Sequence, residues 1–456
     1  MTEISELDTI LDRLSKEELV RIVAEVCEQD PMLKNSLLLK YGEGKSDKRQ
    51  IQAFKKMIAS VVKKYVGRQK FIPYRDVSGF AAELTNLLES IGDRHSRSLS
   101  LEMTFLMLEE GMEALQYADD SGGDIGQLIQ ESLGKIAQLA NESREESETV
   151  RMSLFDRLVT LSESDIFDGW ESNRIEVLEI CVAFADLPQP REKLRGLLEE
   201  QLQESADDGY KPFYQEKLLG IVHRLLLLDS EEEAERFAFA HIQYPSFREL
   251  IIDRLMESGD YRRVLEVAEE GERSDLSLPG RAAKWKRKRY EAYKKLSLKQ
   301  EQAAIGKELL LNGEYAYYEE LAVLAGEKEE AFYRGIVEEL REAGDWRSKG
   351  VYLRLILEKN DLPELMQYVR AYPSEIEAQA ERLAPDYLRE VMGIYEKQIE
   401  RQAENANERK GYKAVCGVIK RYKKIAGASR QAEIVSRLKA AYGRRPAFME
   451  ELAKLS

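Results

Sequence analysis

The side chains best suited to chemistry are few in this sequence and poorly spaced for it. Its three histidines, His95, His223 and His241, and its three cysteines, Cys27, Cys181 and Cys416, lie far apart along the chain. Metal sites draw their ligands from short spacings such as His-Glu-x-x-His or Cys-x-x-Cys, and neither occurs, so no metal ligand is assigned. No Gly-x-Ser-x-Gly elbow presents a serine nucleophile. Cys181, within Ile175–Phe184, and Cys416 fall inside helical patterns, where a packed thiol is the expectation. His223, in the apolar run Leu218–Leu228, reads as a packed residue. Neither the phosphate-cradling Gly-x-x-x-x-Gly-Lys-Ser/Thr loop nor the dinucleotide pattern Gly-x-Gly-x-x-Gly is present, so no cofactor is assigned. The turn Asp119-Asp120-Ser121-Gly122-Gly123-Asp124, with Glu131, has a faint likeness to a calcium loop. Counting from Asp120, however, glycine stands at the third position and Ile125 at the sixth, where the bend needs glycine. The turn reads instead as an N-cap for a helix over Ile125–Leu139. With no catalytic pair to single out among 84 acids, the expectation is a protein that is not an enzyme.

Charge carries a clearer signal. The formal net charge is −15, which disfavours indiscriminate nucleic-acid binding, but it is segregated. Residues 102–149 sum to −10, residues 281–299 to +8 and residues 409–446 to +11. On a helical wheel over Tyr412–Ala426, Val415, Val418, Ile419, Tyr422 and Ile425 share one side. Lys413, Lys420 and Lys424 occupy the other, with Arg421 and Lys423 flanking. The segment Arg281–Lys299 interleaves bases with Trp285, Tyr290 and Tyr293. Such a mixture fits phosphate contacts with bases stacked on the rings. It equally fits an acidic protein partner, self-association, or a solvated face whose rings are core and whose bases pair with neighbouring helices. The candidate partner-binding residues are Lys284, Lys286, Arg287, Lys288, Arg289, Lys413, Lys420, Arg421, Lys423, Lys424, Arg444 and Arg445. A membrane-surface role is not expected, because the apolar face is needed for packing.

The elements that must position these groups are helices. In Ser15–Ala24, Leu19, Ile22 and Val23 recur at helical spacing, and Ser15 with Glu18 forms a capping box. Asp30-Pro31 would stop that helix and start another. Similar units follow, separated by short breaks at Tyr41–Lys45, Asp120–Gly123, Leu187–Pro190, Gln243–Ser246, Glu257–Asp260, Leu278–Gly280, Asn312–Gly313, Ala343–Asp345, Asn360–Pro363 and Ala371–Ser374. No segment shows sustained strand alternation, and Phe71–Tyr74 reads as a loop. Three breaks share a grammar: Ser258-Gly259-Asp260-Tyr261, Asn312-Gly313-Glu314-Tyr315 and Ala343-Gly344-Asp345-Trp346 each suggest a C-cap, an N-cap and an aromatic staple. Gly313 and Gly344 are 31 residues apart, close to one two-helix repeat, whereas Gly259 and Gly313 are 54 apart. The spacing predicts an all-α, irregular α-solenoid of stacked helical hairpins, tetratricopeptide-like but without that consensus, in two or three sub-arrays. The expected divisions are an N-terminal hairpin over 1–45, a helical domain with the acidic turn over 46–142, repeats over 143–280, and repeats with the basic segments over 281–456.

Composition agrees. At 456 residues the chain is too long for one ordinary core, and 28 glycines with 11 prolines are too few for a many-turned β protein. The longest stretch without Asp, Glu, Lys or Arg is 11 residues, Phe237 to Phe247, too short to span a bilayer. The acids Glu3, Glu6, Asp8, Asp12, Glu17 and Glu18 argue against a signal peptide, and isolated cysteines suit a reducing cytoplasm.

The order of segments resembles the helical part of bacterial SWIM zinc-finger proteins. The matching stretches are Leu14–Ala24 with Asp30-Pro31, the acidic turn Ala118–Gly126, and the tail. The tail comprises Tyr412–Ala426 followed by Ile434–Leu455, with Leu438, Tyr442, Arg445-Pro446-Ala447 and Leu452. In that family the first stretch follows the finger and the tail closes the chain. The finger needs a Cys-x-Cys pair and a later Cys-x-His, and this sequence has neither, so the zinc ligands carry over to no residue. The resemblance implies the helical scaffold alone. The function expected is a non-catalytic scaffold or adaptor holding a protein partner. Alternatives are a nucleic-acid-associated factor using residues 281–299 and 409–446, and a regulatory subunit of a separate enzyme.

Overall fold

In a computed structural model, the described residues are 11, 13–29, 47–68, 70–92, 95–207 and 212–455. They are all-α, and the one β feature among them is an isolated parallel bridge between Ile72 and Ala118. The chain divides into two compact units, Met1–Ile251 and Ile252–Ser456.

The first unit contains α1 (Lys16–Gln29), α2 (Asp47–Val66), α3 (Tyr74–Glu89), α4 (Arg97–Tyr117), α5 (Asp124–Glu142), α6 (Glu148–Ser162), α7 (Glu171–Cys181), α8 (Pro188–Asp207), α9 (Pro212–Asp229) and α10 (Glu231–Ala240). The division falls within α11 (Pro245–Ser258). The expected capping box is formed: Ser15 N–H donates to Glu18 Oε2 at 2.8 Å, and Glu18 N–H donates to Ser15 Oγ at 3.2 Å. The stop at Asp30-Pro31 and the break at Tyr41–Lys45 lie outside the described residues. From α2 to α9, helices pack on their chain neighbours, α5 and α6 excepted, and several pack on the next helix but one, as in stacked hairpins: α2 on α4, α3 on α5, α5 on α7, α7 on α9. One core runs through them, including Phe54, Phe80, Leu108, Ile136, Leu158, Leu178, Phe184 and Leu225.

The acidic turn caps a helix, as its sequence indicates. The Asp120 carboxylate accepts from the backbone N–H groups of Ile125 at 2.8 Å and Gly126 at 3.0 Å, the free donors at the start of α5. The loop at Phe71–Tyr74 docks beside it. Ile72 N–H donates to the Tyr117 carbonyl at 2.9 Å, and Asp119 N–H donates to the Ile72 carbonyl at 3.0 Å. The bridge is two bonds long and extends no further.

The second unit continues with α12 (Tyr261–Ser274), α13 (Pro279–Lys295), α14 (Lys299–Leu311), α15 (Tyr317–Ala325), α16 (Glu329–Ala343), α17 (Trp346–Glu358), α18 (Leu362–Ala371), α19 (Ile376–Asn405), α20 (Arg409–Tyr442) and α21 (Pro446–Ala453). Each helix from α12 onward packs on the next in the chain. The repeat is more regular than the glycines suggest. Helix pairs begin at Tyr261, Lys299, Glu329 and Leu362, a recurrence of 30 to 38 residues. The apparent interruption between Gly259 and Gly313 holds three helices, α12, α13 and α14, one and a half of these pairs, and the basic segment 281–299 lies mostly in α13, a regular member of the array.

The missing punctuation has a structural cause. At Gly259, Ser297, Gly313 and Asn360 the chain turns left-handed, with φ of 79°, 58°, 107° and 52°. The following N–H in each case reaches back to a carbonyl five residues earlier, at 2.9 to 3.1 Å. This closing bond satisfies an orphan helix carbonyl. Ser297 and Asn360 adopt the same conformation without glycine, so two turns escape a search based on glycine.

The shared grammar holds at two of its three sites. Asp260 caps α12 through Arg263 N–H at 3.3 Å, and Asp345 caps α17 through Arg347 N–H at 2.7 Å and Ser348 N–H at 3.0 Å. Glu314 does not cap α15, which begins only at Tyr317. Its carboxylate pairs with Arg287 instead. Trp346 also departs from the staple expectation, because it is 78% exposed. Two breaks shape the tail. Pro385 lies inside α19, where Tyr387 leaves helical geometry, and Gly427 divides α20 with φ 83° and ψ 173°.

Candidate functional site

The two basic segments, alike in composition, end in different environments. In α13 the aromatic residues are structural. Trp285 is fully buried and its Nε1–H donates to Asp275 at 2.7 Å. Tyr290 is also fully buried; its hydroxyl donates to Glu320 at 2.8 Å and accepts from Gln302 at 3.1 Å. Neither ring is available to stack on a base.

The α13 cations are largely matched. Lys286 lies 2.5 Å from Glu308 and 3.4 Å from Glu272, and Arg289 is 2.7 Å from Glu272. Arg287 makes a two-toothed contact with Glu314 at 2.8 and 3.1 Å, and Lys288 meets Asp253 at 2.5 Å. Lys284 lies over the Trp285 ring, 5.8 Å from its centroid. Burial would lower the Lys286 pKa, but its bonds to Glu308 and Glu272 outweigh that and hold it above its ordinary value.

In α20 the apolar face is buried as its wheel predicts: Val415, Val418, Ile419 and Tyr422 are core, and Ile425 is half-buried. The basic face is only partly matched. Arg421 pairs with Glu377 at 2.5 Å. Arg445 donates to the carbonyls of Ala403 and Ala406 at 3.1 and 2.8 Å, so it serves as a strut between α19 and the turn before α21. Lys413, Lys420, Lys423, Lys424 and Arg444 are exposed and form no ion pair among the described residues.

A second feature was not signalled by charge. Within the second unit, the turn before α13, the first half of α13, the α14–α15 turn and the first half of α17 enclose a cleft of about 830 Å³. Its lining includes Gly280, Ala283, Gly313 and Gly350, small residues that let another backbone come close. Two large apolar side chains stand at it in the open: Trp346, 78% exposed, and Leu276, 71% exposed. Lys286, Arg287, Arg347 and Arg354 line it against a single acid, Glu314. Three of these bases are engaged, with Arg354 at 2.8 Å from Glu358 and 3.9 Å from the Tyr315 ring centroid. Arg347 makes no ion pair among the described residues; its guanidinium lies 5.3 Å from the Trp346 ring centroid. Backbone geometry places it there. Asp345 caps the first turn of α17, and Gly313, at φ 107°, lies so close that a Cβ on it would sit 3.3 Å from Arg347 Cβ. The cue in the sequence was Trp346 itself.

Elsewhere the chemistry-bearing side chains are dispersed. His223 is buried and edge-on to Phe247, His241 packs on Phe237 with Nδ1 2.8 Å from that residue's carbonyl, and His95 is 3.3 Å from the Gly92 carbonyl. Cys181 and Cys416 are buried, and burial pushes their thiols up to about 12 and about 11. In the first unit Glu109, Glu110 and Glu113 share a cleft of about 490 Å³ with Lys55 and Lys63. Burial raises the Glu109 and Glu110 carboxyl pKa values. Among the described residues no three His, Cys, Asp or Glu side chains are grouped to hold a metal ion, and no helix is long and apolar enough to cross a membrane.

No protein-family model matches the chain, and no curated protein matches it. Among solved structures, a circular tandem repeat protein with novel repeat topology and enhanced subunit contact surfaces is similar at 15% identity. That match covers 95% of this chain and 94% of that one, with a TM-score of 0.15. A likeness at that score carries no argument, and the architecture rests on the helices themselves.

Proposed function

We propose that this chain is a non-catalytic helical-repeat scaffold that holds a segment of a protein partner in the cleft of its second unit. The observation that carries this reading is Trp346, exposed beside a small-residue cleft and next to Arg347, which makes no ion pair among the described residues. Tryptophan and arginine are the side chains most often found to dominate binding energy at protein interfaces. Stacked hairpins offer extended surfaces for such a role without any reactive group. The SWIM-like order of segments, without the finger's ligands, is in keeping with a scaffold acting through its helices, and a reducing cytoplasm remains the proposed setting.

The test places a photo-crosslinking amino acid at Asn312, an exposed residue of the cleft lining, and irradiates native lysate with and without nuclease. A discrete adduct is expected, unchanged by nuclease and lost when Gly350→Trp fills the cleft. A Cβ at Gly350 meets no atom within 4 Å, so a side chain can leave the helix there without a clash at its first atom, and an unchanged circular dichroism spectrum and unfolding midpoint confirm that the variant is folded. An adduct that persists after filling, or none at all, would refute the reading.

Nucleic-acid association is the second reading, favoured by Lys413, Lys420, Lys423, Lys424 and Arg444 of the tail, exposed and without an ion pair among the described residues, and no longer by α13. Charge reversal at Lys420, Lys423 and Lys424 should then abolish binding of a single-stranded oligonucleotide that weakens steeply with salt. Arg421 is left out because its reversal would also break the Glu377 pair.

A further inference from the structure

Resting on the scaffold reading, we infer that the cleft selects an acidic segment with a bulky apolar side chain, whose carboxylate is received by Arg347. Three observations converge. The first is charge: Glu272, Glu308, Glu314 and Glu358 neutralise three of the four bases at the cleft, so Arg347 is the cation of the lining without an ion pair among the described residues, and an acidic occupant is complementary to it while a basic one is not. The second is the state of those bases. Lys286, Arg287 and Arg354 already hold carboxylates of this chain, so an incoming acid would have to displace them. Arg347 alone has donors to spare among the four, and a guanidinium presents a planar fork that suits a carboxylate. The third is its surroundings. Trp346 and Leu276 expose apolar area that an acid alone would not cover, so the occupant must bring an apolar group of its own.

Covering that area removes water from around Arg347 and strengthens the ion pair it makes. The two contacts therefore reinforce each other, and loss of either should weaken both. Phosphate chemistry is less well served. A nucleic acid would find one unpaired cation here and no unoccupied ring beyond Trp346, whereas the tail offers five exposed cations without acid partners. The two surfaces accordingly make separate predictions.

The experiment measures fluorescence anisotropy on the full chain with labelled octapeptides. One carries two leucines flanked by glutamates, a second replaces each glutamate by glutamine, a third by lysine, and a fourth replaces the leucines by serine. The first peptide is expected to bind saturably, and the other three about tenfold more weakly or not at all. Arg347→Glu and Trp346→Ala should each weaken the first peptide by about tenfold or more, with Arg347→Lys between wild type and Arg347→Glu. Both side chains are exposed, and an unchanged circular dichroism spectrum with unchanged unfolding midpoint confirms folded variants. Equal binding of the glutamine or lysine peptide, or indifference to Arg347→Glu, would overturn the acidic specificity. In that case a cleft-dependent crosslink at Asn312 would still uphold the scaffold reading. If neither peptide nor crosslink is seen, both fall. Binding of an oligothymidylate lost on Trp346→Ala but not on charge reversal in the tail would also overturn the inference, by giving the cleft to nucleic acid.

Discussion

Gly306 offers a quantitative test of how tightly the second unit is packed. It lies inside α14, where alanine is ordinarily favoured over glycine by about 1 kcal/mol. Here a Cβ would come within 2.8 Å of Tyr290 Cε2, closer than real contacts allow, and within 3.0 Å of Leu321 Cδ2, which is tight. The ring cannot simply swing away. Its hydroxyl is bonded to Glu320 and Gln302, and the ring packs T-shaped with Tyr317, centroids 4.7 Å apart. Overpacking a fixed core costs about 1–3 kcal/mol. Subtracting the helix gain leaves Gly306→Ala destabilising by about 1 kcal/mol, within about 0 to 2. Gly335 in α16 is the control: its Cβ would meet nothing within 4 Å, so Gly335→Ala should stabilise by up to about 1 kcal/mol. Both are read from urea unfolding followed by tryptophan emission, with buried Trp285 reporting on the second unit. Two units need not unfold together, so the quantity compared is the midpoint of the Trp285 transition. A Gly306→Ala midpoint raised as much as that of Gly335→Ala would refute the packing argument.

Other outcomes follow from particular contacts. Trp285→Phe leaves the buried Asp275 carboxylate without its indole donor and should cost about 1–3 kcal/mol, seen as a lower thermal midpoint. Glu320, bonded to Lys294 and Tyr290, Glu358, bonded to Tyr315 and Arg354, and Glu390, bonded to Arg370, are all held below the ordinary carboxylate range. Their contribution to stability is therefore complete above the unfolded carboxylate value of about 4.3 and is lost as pH falls through the lower folded values. Melting temperature should hold level near neutrality and drop as the medium is acidified past that point; a rise there would contradict the assignment. At about pH 8 a thiol reagent should label Cys27 in the native protein and spare Cys181 and Cys416, whose thiols burial holds protonated, with all three labelled in urea.

Much of the architecture is written locally. Ser15 and Glu18, Asp260, Asp120 and Asp345 announce helix starts because a cap is a contact within a few residues. Gly259 and Gly344 mark turns because a left-handed residue favours glycine. Ser297 does the same work unmarked inside the interval from Gly259 to Gly313, which is why those two glycines stand 54 residues apart. The fate of the basic residues was beyond local reasoning. Lys288 finds Asp253 across 35 positions and Arg287 finds Glu314 across 27, whereas Lys413 and Lys420 find no ion-pair partner among the described residues. Only the stacking of helices decides which acid faces which base. The cleft was missed for the same reason. Leu276, Gly313 and Trp346 come from three separate stretches, and Trp346 carried a local meaning, that of a staple, which the fold does not use.

In the second unit, from α12 onward, each helix leans on its chain neighbours, so the unit is built like a row of shelves. Whole pairs could be added or removed by gene duplication or deletion without redrawing the rest. The trough containing Trp346 spans α13 to α17, so descendants that lengthened the row beyond α18 would keep it, and those that lost a shelf inside that interval would not. Inheritance of the trough and growth of the row are, on this plan, separable traits.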